Sequence, residues 1–239
     1  MDRYHPKIGS LVSSKVYPTK QRPWFVQAST PGVKSATWTD PYIFTSVETN
    51  VGVTACQPIF SSNGNLLGVA AVDMAFSQLS TDLRAIPFTP SGFAFIFNSA
   101  GVFYGSSVKN ETVSFNSYDA KGNLDVELKD IHNITDWRMN TAAITIYNSV
   151  NGKLTSLEPI QTYVVGGLIF QHQLFKDPFG LNLVIVTGAT SQEHLIKHSK
   201  LSPITWHNLP APWLALESES VFFLSWHRFQ PRSSLLAVL

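Results

Sequence analysis

The chain has a single cysteine, few charges and no long apolar run, and each shortage excludes a class of protein. Cys56 alone excludes an intramolecular disulfide and a Cys-rich zinc site. Only 14% of the 239 residues are charged, and 17 Lys and Arg against 16 Asp and Glu leave a net charge of +1. No basic stripe is present to neutralise a row of phosphates, so nucleic acid is not an expected partner. No apolar stretch reaches the ~18–20 residues of a membrane helix, and Val221–Trp226 near the end is far too short. Nor does Met1-Asp-Arg-Tyr-His-Pro open a signal peptide. Any membrane contact is expected through segments outside this chain. A Gly-x-Ser-x-Gly elbow, a phosphate loop and a dinucleotide fingerprint are all missing, so neither an enzyme nor a cofactor is expected. Aromatics make up 12%, which is not a disordered composition, and the length suffices for one or two domains.

The periodicity that is present divides the chain. Pro23 suits a first helical position, and a helix is expected from there through Ala28, stopping before Pro31-Gly32. Strands are expected over Tyr42–Val47, Gly52–Phe60 and Leu66–Asp73. The last two are joined by the Asn63-Gly64 turn, where Asn-Gly supplies positive φ. Phe76–Ile86 reads as a helix with Leu79, Leu83 and Ile86 on one face. After Pro87-Phe-Thr-Pro90 a second set begins. Gly92–Phe97 and Val102–Tyr104 read as a hairpin through Asn98–Gly101, and a short helix is expected near Leu124–Ile131. Ala142–Tyr147 reads as a strand that turns at Asn151-Gly152. Tyr163–Phe175 and Leu181–Gly188 read as a closing antiparallel pair, and Ser191–Ile196 as the start of an exit helix. The expected fold is α+β: two tandem modules, each an antiparallel sheet flanked by helices, over 1–86 and 87–198 with a junction near 74–92. Residues 199–239, with Trp206, Trp213 and Trp226, show no clean period and read as an irregular tail.

Six residues of the first third form a candidate cage for a zwitterion: Tyr17, Arg22, Trp24, Phe25, Tyr42 and Asp73. A free amino acid carries a carboxylate and an ammonium a few bonds apart. An Arg fork is the best side-chain partner for the first, and a poorly hydrated Asp suits the second. Each residue also has a plainer use. Arg22 could form a surface ion pair, Trp24, Phe25, Tyr17 and Tyr42 could be core aromatics, and Asp73 could cap the helix that follows it. Asp40 in Thr39-Asp40-Pro41 is a second-tier candidate, equally suited to a turn.

The runs Arg22-Pro-Trp24-Phe25-Val-Gln-Ala28, Trp38-Thr-Asp-Pro-Tyr42, Gly52-Val-Thr-Ala-Cys-Gln-Pro58-Ile59 and Asn63-Gly64-Asn-Leu-Leu-Gly68-Val69-Ala-Ala-Val-Asp73 resemble the double Cache domain over roughly residues 15 to 195. That family forms the extracytoplasmic sensing modules of chemoreceptors, sensor kinases and cyclases. Its amino-acid-binding branch carries Tyr, Arg, Trp, an aromatic, Tyr and Asp in this order, and all six positions match, with Phe25 lacking the hydroxyl common there. The resemblance implies PAS-like modules, a small-molecule ligand such as an amino acid or amine, an extracellular location as part of a membrane protein, and the option of a homodimer. Any kinase or cyclase output would lie outside this chain. It also implies a membrane helix, a spine helix and opening strands before the Arg-x-Trp segment. None of these is visible, so the first module reads as truncated and both ends as products of a faulty gene model. The alternatives are an accessory ectodomain like those of calcium-channel subunits, or a non-functional fragment.

Weaker signals complete the reading. Asn110-Glu-Thr112 and Asn133-Ile-Thr135 are glycan acceptors if the chain enters a eukaryotic secretory pathway. His194 and His198 stand four apart on a helix face, without the Glu of a protease motif, so no metal is expected. Asp119–Asp125 lacks the alternating ligands of an EF-hand and reads as a turn.

Overall fold

A computed structural model describes residues 17–44, 50–118, 124–193 and 235–238. The end of the Tyr42–Val47 strand, the turn at 119–123, His194, His198 and most of the tail lie outside the described residues.

The first helix, α1, is Pro23–Ser29, and it begins at the expected proline with Arg22 in extended conformation before it. Its buried residues are Trp24 and Ala28, four apart on one face. Two short strands, β1 (Thr37–Trp38) and β2 (Tyr42–Ile43), pair antiparallel with β3 (Val51–Phe60). A tight turn with Gly64 at φ 79° then leads into β4 (Leu66–Ala75). In this hairpin Thr54, Cys56 and Pro58 stand opposite Asp73, Ala71 and Val69. Paired residues share a face of the sheet, and on this one Cys56, Val69 and Ala71 pack against Trp24 and Ala28. On the opposite face, Val53 and Met74 pack towards the second sheet. The second helix, α2 (Phe76–Ala85), buries Phe76, Ser80 and Leu83.

The second sheet begins with the hairpin of β5 (Phe93–Asn98) and β6 (Phe103–Ser106). Asn98 organises its turn, its Oδ1 accepting from the backbone N–H groups of Ala100 and Val102. The pair β7 (Ser114–Tyr118) and β8 (Leu124–Leu128) follows, then α3 (Trp137–Ser149) and three strands, β9 (Ile160–Val165), β10 (Leu168–Lys176) and β11 (Asn182–Thr190). The order β6-β5-β11-β10-β9 is antiparallel throughout. Strict alternation along β5 builds two cores. Phe93, Phe95 and Phe97 pack with α3, while Ala94 and Ile96 face Phe76, Leu83 and the strand residues Val51 and Val53. Burial of apolar surface, at roughly 25 cal/mol per Å², therefore joins the two sheets. A last strand, β12 (Leu235–Val238), pairs antiparallel with β4 at Val69–Val72, so this part of the tail is ordered into the first sheet.

Three expectations need correction. Ala142–Tyr147 lies inside α3, because Asp136 caps the helix by accepting from the N–H groups of Arg138 and Met139. Met139, Ala142, Ala143 and Ile146 are then buried at helical spacing, which outweighs the strand propensity of the β-branched run. The helix expected near Leu124–Ile131 is β8, held by its pairing with β7, followed by a short 3-10 turn at Ile131–Asn133. Tyr163–Phe175 is two strands, since Gly166 and Gly167 both adopt positive φ, 59° and 76°, and reverse the chain.

Gly188 in β11 lies opposite Phe170 and Phe93. A Cβ there would stand 2.6 Å from Phe170 Cβ and 2.7 Å from Phe93 Cζ. Gly188→Ala should therefore cost about 1–3 kcal/mol by overpacking, read as a lower urea midpoint with an unchanged slope.

Candidate functional site

The face of the first sheet that carries α1 also carries the candidate residues. Arg22 precedes α1, and its side chain reaches β2, where Nη2 donates to the Ile43 carbonyl at 3.0 Å. Its guanidinium lies 5.7 Å from the Tyr17 ring centre and 5.5 Å from that of Tyr42. These are cation–π distances. Its Nε–H is buried and has no partner among the described residues.

Tyr42 occupies the middle of the site. Its hydroxyl lies 2.7 Å from Thr54 Oγ1, and Thr54 in turn donates to Asp73 Oδ1 at 2.6 Å. Burial pushes the Tyr42 phenol up to about 12, with Asp73 adding to the shift and Thr54 and Arg22 opposing it. The phenol thus lies within the electrostatic reach of both Arg22 and Asp73, and it stays protonated at neutral pH. Among the described residues no ion pair joins Arg22 to Asp73.

Three of the six residues are placed otherwise than their chemistry alone led us to expect. Trp24 is only 2% exposed, and its indole N–H donates to Tyr17 Oη at 3.3 Å. It is a core residue whose donor is already committed, and Tyr17 is the group it presents to the surface. Phe25 stands edge-on to Trp24 at 5.7 Å and packs behind it. Asp73 is exposed rather than poorly hydrated, because α1 covers Cys56, Val69 and Ala71 and not the next residue along that face. It does not cap α2. That cap position belongs to Ala75 and has no side-chain hydrogen bond. Asp40 is exposed and contributes to the field at Tyr104 of the second sheet.

Sequence reasoning passed over Thr54. It is fully buried, and its N–H is accepted by Thr39 Oγ1 at 3.0 Å. A threonine within an apolar strand gives no local sign of this bridging role. Cys56 is buried beside it, and burial pushes its thiol up to about 11, so it carries no reactive thiolate.

Elsewhere, two adjoining clefts of about 150 and 310 Å³ lie in the second module, and Ser99 and Leu154 line both. His132 and Asp130 in the larger one are engaged with each other at 3.3 Å. Asn110 and Asn133 are both exposed, and Asn133 Oδ1 accepts from the Asp130 N–H at 3.2 Å. Among the described residues no group of three or more His, Cys, Asp or Glu is gathered for a metal, and no helix is long and apolar enough to cross a membrane.

Residues 5–81 match the family model for the first PDC sensor domain of methyl-accepting chemotaxis protein-like receptors. The chain is similar to double Cache sensor domains. Among solved structures it is similar to the ligand-binding domain of the amino-acid chemoreceptor PctB of Pseudomonas aeruginosa PAO1 in complex with L-Arg. There the identity is 15% and the TM-score 0.45, over 82% of this chain and 69% of that one. The ligand-binding domain of PctC from the same organism, in complex with GABA, is 17% identical with a TM-score of 0.44, over 74% and 64%. The periplasmic sensory domain of the Campylobacter jejuni chemoreceptor Tlp1 is 15% identical with a TM-score of 0.47, over 78% and 59%. The chain thus spans about three fifths to two thirds of the length of these sensor domains. No curated protein matches it.

Proposed function

We propose that this chain is the extracellular ligand-sensing part of a membrane signalling receptor, and that its ligand is a free amino acid or a related amine. The observation that carries the reading is the unbridged opposition of Arg22 and Asp73 across Tyr42. Arg22 has a buried Nε–H without a partner among the described residues, and a buried donor left unmade is costly. A ligand carboxylate would satisfy it. Among the described residues Asp73 is engaged through one oxygen, which accepts from Thr54, and its other oxygen can take an ammonium. One end of the site therefore offers donors and the other acceptors, as a zwitterion requires. Catalysis is assigned to no residue, and any output activity would belong to other parts of the receptor.

A calorimetric screen of the common L-amino acids and biogenic amines against the folded chain tests this. Binding should release heat and raise the melting temperature by linkage. If no compound gives heat or a thermal shift, the accessory-ectodomain reading replaces this one.

A further inference from the structure

Thr54 stands between two of the residues just assigned to the ligand, and its proton settles what they can offer. A hydroxyl has one proton to donate and two lone pairs. Thr54 Oγ1 donates to the Asp73 carboxylate at 2.6 Å, and a carboxylate can only accept. Its proton is therefore committed. The 2.7 Å contact between Tyr42 Oη and Thr54 Oγ1 must then be made with the Tyr42 proton. That commits the phenol proton inward as well. What remains towards the open side is a phenol oxygen with lone pairs and a carboxylate oxygen, and neither can donate. The order is fixed because Thr54 is 0% exposed and its backbone is held on both sides, its N–H by Thr39 Oγ1 and its C=O by the Thr39 N–H at 3.0 Å.

We propose that Thr54 is a positioning residue that makes the Tyr42–Asp73 end of the site acceptor-only, and so selects a ligand with two or more N–H donors on one atom, a primary or secondary ammonium. This rests on the reading above and narrows it: α-amino acids and primary amines are accepted, while N,N-dialkylated and N-acylated analogues are refused. An ammonium can donate to Tyr42 Oη and Asp73 Oδ2 together. An N,N-dimethylated amine has a single N–H and leaves one acceptor unpaired, and an N-acyl group has in addition lost the charge.

The test uses the full chain with Thr54→Val, which keeps the shape and removes the hydroxyl, and Thr54→Ser, which keeps the hydroxyl. The first readout needs no ligand. By NMR, the Tyr42 hydroxyl proton should exchange slowly and show contact with the Thr54 side chain in the unsubstituted protein. It should persist in Thr54→Ser and vanish into solvent exchange in Thr54→Val. The second readout is calorimetry with the amino acid that gives the largest heat in the screen and with its N,N-dimethyl derivative. The unsubstituted protein and Thr54→Ser should prefer the primary amine about 10-fold or more, the scale of one unmade buried hydrogen bond. Thr54→Val should bind the amino acid about 10-fold more weakly and lose most of the preference. A fast-exchanging Tyr42 hydroxyl in the unsubstituted protein, or a preference unchanged in Thr54→Val, overturns the inference while leaving amino-acid sensing intact. If no amino acid gives heat, the sensing reading fails, and the hydroxyl-proton measurement still decides whether Thr54 sets the polarity.

Discussion

Glu111→Ala should lower the stability of the protein by about 3–5 kcal/mol, the range for removing one partner of a buried ion pair. Glu111 and Lys129 are joined at 3.0 Å with side chains 1% and 5% exposed. The other Glu111 oxygen accepts from the Thr135 N–H, the Thr135 hydroxyl and the Asp136 N–H. One carboxylate thereby ties the segment before β7 to the end of β8 and to the start of α3. Without it, Lys129 is a buried charge left, among the described residues, beside the Phe115 ring at 4.9 Å, and the backbone donors before α3 lose their acceptor. Lys129→Met should be the milder change, since it leaves the bonds to Thr135 and Asp136 in place. The pair Glu111→Leu with Lys129→Met should recover only part of the loss, because the Thr135 and Asp136 donors stay orphaned. Urea midpoints of the four proteins check this order. Acid should reproduce the loss. Burial pushes the Glu111 carboxyl up, but the bonds from Thr135, Asp136 and Lys129 outweigh it and hold the group below the ordinary carboxylate range. A carboxyl lowered in the folded state contributes fully above its unfolded value, and the contribution is lost as pH falls through the folded one. The midpoint of the unsubstituted protein should fall as pH drops below about 4, and that of Glu111→Gln should fall less.

Asp73→Asn should abolish most of the binding with little effect on the unliganded fold. The amide oxygen can still accept from Thr54, so the bridge to Tyr42 survives, and Asp73 is exposed, so little packing changes. The negative charge of the side chain is gone. On the sensing reading this should weaken binding of a primary amine by about 2 kcal/mol or more, roughly 30-fold in Kd. The melting temperature without ligand should stay within about 2 °C, as expected for an exposed change worth under ~0.5 kcal/mol. Arg22→Lys should weaken binding of the carboxylate end, because a lysine lacks both the planar fork and the stacking between Tyr17 and Tyr42. Equal affinity in Asp73→Asn and the unsubstituted protein would remove the ammonium role from Asp73.

The local elements were legible in the sequence wherever a signal of short range decides the outcome. Pro23 starts α1, Asn63-Gly64 turns β3 into β4, Asn98–Gly101 turns β5 into β6, and the alternation of Phe93, Phe95 and Phe97 gives a strand buried on both faces. Each rests on φ preference or side-chain period within a few residues, and no distant contact competes with it. The order of residue types Tyr17, Arg22, Trp24, Phe25, Tyr42 and Asp73 was equally open to reading, because chemistry at fixed spacing is a property of the chain. Only the tertiary structure decided which of these side chains line the candidate site and which serve the fold. Trp24 gave its N–H to Tyr17, Asp73 was left exposed beyond the reach of α1, and Thr54 took a place between Tyr42 and Asp73 from 12 and 19 residues away. The same holds for α3, where β-branched residues that favour strands are held helical by the Asp136 cap and by burial of Met139, Ala142 and Ile146. Glu111 likewise finds Lys129 18 residues on and Thr135 24 residues on. A hydroxyl or a carboxylate carries no period. Its partner is set by which backbones the packed sheets bring within hydrogen-bonding distance, and that is fixed only when the apolar faces have been buried.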